Sequence, residues 1–177
     1  RSVAVLNADA SGSVLATSEV VEAVTGNAMK PLGMIEAALK QAGLEREQIE
    51  CLAVGLGPGS YNGIRTAIAL AQGWQLTSRL DELKLLGVSS AECIAAQAQA
   101  DGFVGRLSVV IDAQRGEFFL AEYDVSAAGR REVSPLRLTT LDEVQERERA
   151  GEMLAGPEVV RWFPNARVVF PRAAMLG

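Results

Sequence analysis

The sequence predicts an α/β protein with a mixed sheet flanked by helices. In its first hundred residues, short β-branched and apolar runs alternate with stretches of helical period. Beyond Asp101 the pattern turns to strands joined by short turns. That change divides the chain into a first lobe over residues 1–100, holding a glycine-rich loop and two helices with apolar stripes, and a second, smaller lobe over residues 101–177. With 177 residues, 49% hydrophobic and 22% charged, the chain is long enough to bury a sizeable core.

Residues 2–6 alternate and are β-branched, residues 7–12 carry turn chemistry, and residues 14–21 resume the strand, so a hairpin opens the chain at the start of a sheet. From about Asn27 to Gln41 the period becomes helical. Leu32, Ile35 and Leu39 form one apolar stripe, Met34, Ala38 and Ala42 a second beside it, and Gly43 supplies the stop. After a charged connector at residues 45–48, residues 51–56 form the short continuous apolar run that buried parallel strands show. A glycine-rich segment follows. Residues 64–76 read as a second helix, with Ile64, Ala67, Ile68, Ala71 and Trp74 at helical spacing; Ala67, Ala69, Ala71 and Gly73 keep it slim.

Residues 77–84 are a polar link, and Ser89 and Ser90 offer caps for a third helix ending near Ala100, with Glu92 in its first turn. Residues 107–111 and 117–123 read as strands around a turn at residues 112–116, and residues 135–139 add another strand. Residues 141–149 are a charged helix, and the remainder is strand and loop. No internal repeat is present.

Composition narrows the function. A formal charge of −5 and an aromatic content of 5% supply neither the electrostatic footprint nor the stacking surfaces of an autonomous nucleic-acid binder. Cys51 and Cys93 are far apart and outside any CxxC spacing, which predicts two buried thiols and neither a disulfide framework nor a zinc site. Residues 1–6 lack the apolar core of a signal peptide and no apolar run reaches membrane-spanning length, which places the chain in a reducing cytoplasm. Histidine is absent, removing the commonest general base and metal ligand and excluding serine–histidine and cysteine–histidine catalysis. No catalytic residue and no metal site is expected.

The sharpest local feature is Gly55-Leu56-Gly57-Pro58-Gly59-Ser60-Tyr61-Asn62-Gly63-Ile64-Arg65, between a strand and a helix. Its backbone N–H groups and the helix N-terminus would suit an anion. A Walker loop needs Gly-Lys-Ser/Thr at its end and a dinucleotide fingerprint needs glycine where Ser60 stands, so neither specific motif is met. The other reading is a tight strand-to-helix turn whose glycines allow positive φ and close packing, capped by Ser60 or Asn62. Arg65 would meet a phosphate or a partner carboxylate, or be a solvated arginine. Asp112, Arg115 and Glu117 read as a polar turn rather than an acid–base cluster.

The first helix is the more informative element. If its Leu32, Ile35 and Leu39 stripe faces the sheet, Met34, Ala38 and Ala42 still need cover, from a partner helix or from the rest of the chain. Cover by a partner helix would make Met34, Ala38 and Ala42 an interface.

The segment from Gly57 to Arg65 resembles the Gly-Pro-Gly-Ser-Phe-Thr-Gly-Leu-Arg loop of the TsaB family. Leu86-Gly87-Val88-Ser89-Ser90 resembles its Ile-Gly-Val-Ser-Thr, Ile111-Asp112-Ala113-Gln114-Arg115-Gly116-Glu117 resembles its Asp-Ala-Arg-x-Gly-Glu turn, and Gly73 falls where the family's second helix ends. The resemblance runs from about Ser2 to Ala173. It implies the actin-like ATPase fold, ribonuclease-H-like and related to heat-shock 70 proteins and sugar kinases. The catalytic paralogue TsaD holds a metal with histidines of an Asn-His-x-x-Gly-His segment; Ser90 and Ile94 stand in their places here.

The resemblance thus implies a non-catalytic subunit of the tRNA threonylcarbamoyladenosine machinery, without the protease activity that the family's glycoprotease label suggests. Such a subunit docks a TsaD-like transferase through its first two helices, which extends the expected partner interface to Ile35 and Leu39 and to Ile68 and Gln72 of the second helix. It joins a TsaE-like ATPase in the assembled complex and forms a homodimer when alone. It contacts no tRNA directly and has no resident cofactor, a nucleotide being expected only at a partner interface. The alternative within the fold is a nucleotide-binding or phosphotransfer enzyme using the glycine loop. Departures from the family are Tyr61 and Asn62 in the loop, a first helix start at residues 27–33 lacking the family's histidine and proline, and the absence of its opening strand before Arg1 and its tail after Gly177.

Overall fold

Alternating β-branched residues pair as expected at the start of the chain. β1 (Ser2–Ala8) runs antiparallel to β2 (Val14–Val21), from Ser2 opposite Val21 to Ala8 opposite Val14, with an irregularity after Val5. The structure is a computed structural model in which residues 1–8, 14–22, 30–78 and 83–175 are described; the turn and the first helix's expected start at Asn27 lie outside them. The chain divides into two compact units, Arg1–Gly55 with Arg65–Val88 and Arg172–Gly177, and Leu56–Ile64 with Ser89–Pro171. The division near Asp101 thus moves to Ser89, because the third helix packs on the strands that follow it.

In the first unit, α1 (Pro31–Ala42) begins with proline, whose fixed φ suits the first helical turn, where its missing N–H is no loss. It ends at Gly43, left-handed at φ 68. There the N–H of Gly43 donates to the Lys40 carbonyl (3.2 Å) and that of Leu44 to the Leu39 carbonyl (3.1 Å), a paired closure of the last turn that also draws Leu44 toward Leu39.

α1 lies against the hairpin with the opposite stripe from the one expected. Met34 and Ala38 are 1% and 0% exposed, while Leu32 is 59% exposed and Ile35 and Leu39 are half-buried. Ala38 is small enough for the helix to approach the hairpin until the Ser18 hydroxyl donates to the Ala38 carbonyl at 2.7 Å. The reading of Met34 and Ala38 as an outer surface is therefore corrected: they belong to this unit's own core.

β3 (Cys51–Gly55) pairs in parallel with β4 (Lys84–Val88), with α2 (Tyr61–Thr77) between them in the chain. β4 was not anticipated, being five residues with a glycine at the fourth. The hairpin and this parallel pair are separate two-stranded sheets, not one sheet begun by the hairpin. Cys51 is exposed, contrary to expectation, and Cys93 is buried. The last described segment returns to the hairpin: Ala173 N donates to Ser2 Oγ (2.8 Å), Ala174 N to Glu19 Oε1 (3.1 Å), and Arg172 pairs with Glu19.

The second unit is the mixed sheet. β5 (Gly105–Gln114), β6 (Glu117–Ser126) and β7 (Gly129–Thr140) are antiparallel; β8 (Met153–Gly156) and β9 (Arg167–Val168) add in parallel, in the order β7-β6-β5-β8-β9. α3 (Ser90–Ala100), capped by Ser89 Oγ accepting from Ala91 N, lays Ala91, Ile94, Ala95 and Ala98 on Leu107, Val109, Ala121 and Tyr123. The alternate residues Val110, Phe118, Leu120 and Leu154 face the other way, onto Val144 of α4 (Leu141–Arg149), Val159 and Phe163. Phe118 meets Trp162 and Phe163 edge-on, with centroids 5.2 and 5.4 Å apart.

The turn between β5 and β6 has Gln114 and Arg115 at φ 71 and 58, with Asp112 Oδ1 accepting from Gln114 N at 2.7 Å. Asp112 is thereby engaged in holding a left-handed turn. β7 begins six residues before the expected Pro135; its polar first half is visible in the sequence only as charge, and Pro135 is tolerated on an edge strand.

Where β7 meets α4, the Glu143 carboxylate accepts hydrogen bonds first from Arg137 and then from Thr139, which hold it down to about 2. A carboxylate with a depressed folded-state pKa contributes stability that is complete above its ordinary value of 4.5 and lost as pH falls toward 2. We expect Arg137→Gln to move the Glu143 titration back toward 4.5, read by carboxyl-carbon NMR; an unchanged midpoint would exclude Arg137 as the cause. No helix among the described residues is long and apolar enough to cross a membrane.

Candidate functional site

Because α1 turns Met34 and Ala38 inward, its larger aliphatic side chains face α2 and leave a groove. Leu32, Ile35 and Leu39 of α1, with Leu44 brought in by the helix closure, form one wall; Ala69, Leu70, Gly73 and Trp74 of α2 form the other. The groove encloses about 720 Å³ and lies wholly within the first unit. Glu36, Lys40, Glu45, Arg46 and Thr77 form its polar rim.

One end of the rim is held rigidly. The Arg46 guanidinium lies 4.7 Å from the centroid of the Trp74 ring, and its Nη2 donates to Thr77 Oγ1 and to the Trp74 carbonyl (3.5 Å). Arg46 is placed by the short 3-10 turn Arg46–Gln48, in which Glu45 and Gln48 cap each other's backbone.

Of the interface residues expected from the sequence, Ile35 and Leu39 line the groove. Ala42 and Ile68 are half-buried and Gln72 is exposed, and none of the three lines it. Sequence reading missed Leu44, Arg46, Leu70 and Trp74 as groove residues and assigned Leu32 to the wrong side. The available signal was the spacing of Ala69 and Gly73, and of Leu70, Trp74 and Thr77, each one turn apart on α2. Gly73 is also not a helix end: α2 continues to Thr77.

The glycine loop, described within the second unit, is a tight turn. Gly57 is left-handed at φ +90, a Cβ there would lie 2.6 Å from Ile64 Cδ1, and its carbonyl accepts from Ser90 N at 2.7 Å. Ser60 caps the helix entry: its Oγ accepts from Gly63 N (3.3 Å) and its carbonyl from Ile64 N (2.9 Å). Pro58 follows a cis peptide bond and is half-buried; Gly59, Tyr61, Asn62 and Arg65 are exposed. Of the expected cap candidates, Ser60 is the one used.

In α3, Ile94 is fully buried and Ser90 half-buried. The neighbouring Cys93 thiol is pushed up to about 11 by burial and then by Glu92, so it stays protonated near neutrality and is a poor nucleophile. Among the described residues no group of three or more Cys, Asp or Glu side chains is arranged to hold a metal.

The mixed sheet flanked by helices, entered through this glycine loop, defines the class of the protein as an actin-like α/β fold. The family model described as TsaD, tRNA N6-adenosine threonylcarbamoyltransferase, matches residues 28–175. The chain is 38% identical over 92 residues to the tRNA threonylcarbamoyladenosine biosynthesis protein TsaB of Escherichia coli and 26% identical over 111 residues to that of Bacillus subtilis. These stretches are 52% and 62% of this chain but 38% and 45% of those proteins, so the chain spans less than half the length of these curated relatives. The solved structure of YeaZ from Pseudomonas aeruginosa is similar with a TM-score of 0.75 at 25% identity, covering 99% of this chain and 82% of that one. The chain belongs to the TsaD family of threonylcarbamoyltransferase-like proteins, on its TsaB side.

Proposed function

We propose that this chain is a non-catalytic subunit of the tRNA threonylcarbamoyladenosine machinery that binds and supports a TsaD-like transferase through the groove between α1 and α2. The observation that carries the proposal is the groove itself, with aliphatic walls, an indole at one end and Leu32 59% exposed at its mouth. Burying one large apolar side chain is worth about 1.5–3 kcal/mol, so a partner helix laid between these walls gains several such contributions. The names of the curated relatives support the pathway, and the absence of histidine supports assigning metal-dependent acyl transfer to another subunit.

A subunit of this kind acts by binding its partner's active arrangement better than the inactive one. A TsaE-like ATPase completes the assembly, and a second copy of the chain occupies the same groove when the transferase is missing. Direct grip on tRNA is left to the partners, in keeping with the charge of −5. The setting is a reducing cytoplasm, with any nucleotide held at the joint interface.

Sedimentation velocity of the chain mixed with the transferase subunit of the same organism tests this reading. A heterodimer at micromolar concentration is the expected result, together with no ATP turnover by the chain alone. Failure to associate at any ratio, with or without ATP, would remove the proposal, and turnover by the isolated chain would favour an enzyme built on the glycine loop.

A further inference from the structure

Gly73 stands inside α2, where glycine is disfavoured relative to alanine because it must lose more backbone freedom. Among the described residues nothing calls for it: a Cβ built there meets no atom within 4 Å, and its φ is not left-handed. It nevertheless lines the groove, one turn after Ala69 on the same face. A residue that weakens its own helix without being crowded by its own chain points to an approach from outside.

A second observation lies at the same end of the groove. Arg46 lies over the Trp74 ring and is tied to Thr77, and among the described residues it takes part in no ion pair. Its neighbour Glu45 does not supply one, being turned back to cap the Arg46–Gln48 turn. A guanidinium fixed in orientation and half-covered by an aromatic face is prepared to receive a planar carboxylate through its remaining N–H groups.

We propose that a helix of the transferase subunit crosses α2 at Ala69 and Gly73 with its backbone close against theirs, and that it sets an aspartate or glutamate on Arg46. This deepens the docking reading above and rests on it. Gly73 and Arg46 are then specificity-determining residues: the glycine admits only a helix presenting a small side chain at the crossing, and the arginine selects one that carries an acid about a turn further on. The apolar walls favour a protein helix over a free anion, because an anion would leave them uncovered.

The test combines thermal melting of the free chain with calorimetric titration of the transferase subunit. Gly73→Ala should raise the melting temperature of the chain by about 2–4 °C yet weaken the complex at least tenfold, and Gly73→Leu should abolish binding by a chain that still melts cooperatively. Arg46→Gln should weaken the complex about tenfold or more and flatten its dependence on salt, with Arg46→Lys in between. A purely structural role predicts changes of one sign in stability and affinity, so opposite signs at Gly73 are the distinguishing result.

Gly73→Ala binding as tightly as the wild type, or Arg46→Gln leaving affinity and salt dependence unchanged, would overturn this inference while sparing the docking reading. A wild-type chain that does not bind the transferase would overturn both. Variants that alter only the self-association of the chain would assign the crossing helix to a second copy and overturn the assignment to the transferase.

Discussion

Glutamate at position 38 is expected to unfold the first unit instead of marking a surface. Ala38 is completely buried between α1 and the hairpin, and its carbonyl already accepts the Ser18 hydroxyl. A carboxylate placed there would be buried in an apolar contact, and an unpaired buried charge costs about 3–5 kcal/mol. The unit has little to offset that loss, since its buried hydrophobic side chains among the described residues are Val5, Met34, Ala38, Ala71 and Leu83. Circular dichroism melting and limited proteolysis should find the Ala38→Glu chain unfolded in this unit. Leu32→Glu, by contrast, alters a side chain 59% exposed at the groove's mouth and should change stability by less than about 0.5 kcal/mol while abolishing transferase binding. A stable, cooperatively melting Ala38→Glu chain would show that α1 presents the other stripe to the hairpin.

The second large effect is expected at Gly156, the last residue of β8. A Cβ there would lie 1.9 Å from the Val110 carbonyl oxygen, 3.1 Å from its carbon and 2.8 Å from Val159 Cγ1. Two of these three atoms are backbone of the central strand β5, to which β8 is paired through Val109 and Ala155, so no rotamer change relieves the clash. Gly156→Ala must push β8 away from β5, or the 3-10 turn Val159–Arg161 away from the sheet, and either opens the packing of Phe163 and Phe118. A loss of at least about 3 kcal/mol follows, at the upper end of overpacking penalties. Urea unfolding followed by the fluorescence of Trp162, which stacks edge-on against Phe118, reads this unit directly. Stability within about 1 kcal/mol of the wild type would mean that β8 does not approach β5 as described.

The contrast with Gly73, where an added Cβ meets only open space, separates two kinds of glycine that look alike in a sequence. The residue after Val88 reads as a cap from chemistry alone, and Ser89 does cap α3; Gly43 reads as a stop and is one. The turn at residues 112–116 and the charged helix at residues 141–149 were equally legible, because polar turn residues and charge spacing act locally. What could not be read was the choice between adjacent stripes of α1. Helical period places Met34 and Ile35 about 100° apart, but which stripe the hairpin takes depends on how closely the backbones can approach, and Ala38 decides that.

β4 and the first half of β7 were missed for a related reason. Neither has strong alternation: β4 is short with a glycine at its fourth position, and residues 130–134 of β7 are largely charged or polar and sit on a sheet edge. Their strand character comes from the neighbours they pair with, β3 and β6. The candidate groove was half legible. Two stripes on the first helix signalled that one of them would be left over, whereas Arg46 and Trp74, 28 residues apart in the chain, became one feature only when the 3-10 turn was placed beside α2.

Hydrogen–deuterium exchange of the chain, alone and in the presence of the transferase subunit, separates docking on α1 and α2 from docking elsewhere. Added protection is expected in α1 and in α2 from Arg65 to Thr77, lost on Leu32→Glu, with the β5 to β9 sheet unchanged. Protection on that sheet or on the glycine loop, with α1 and α2 exchanging as they do in the free chain, would contradict docking through the groove.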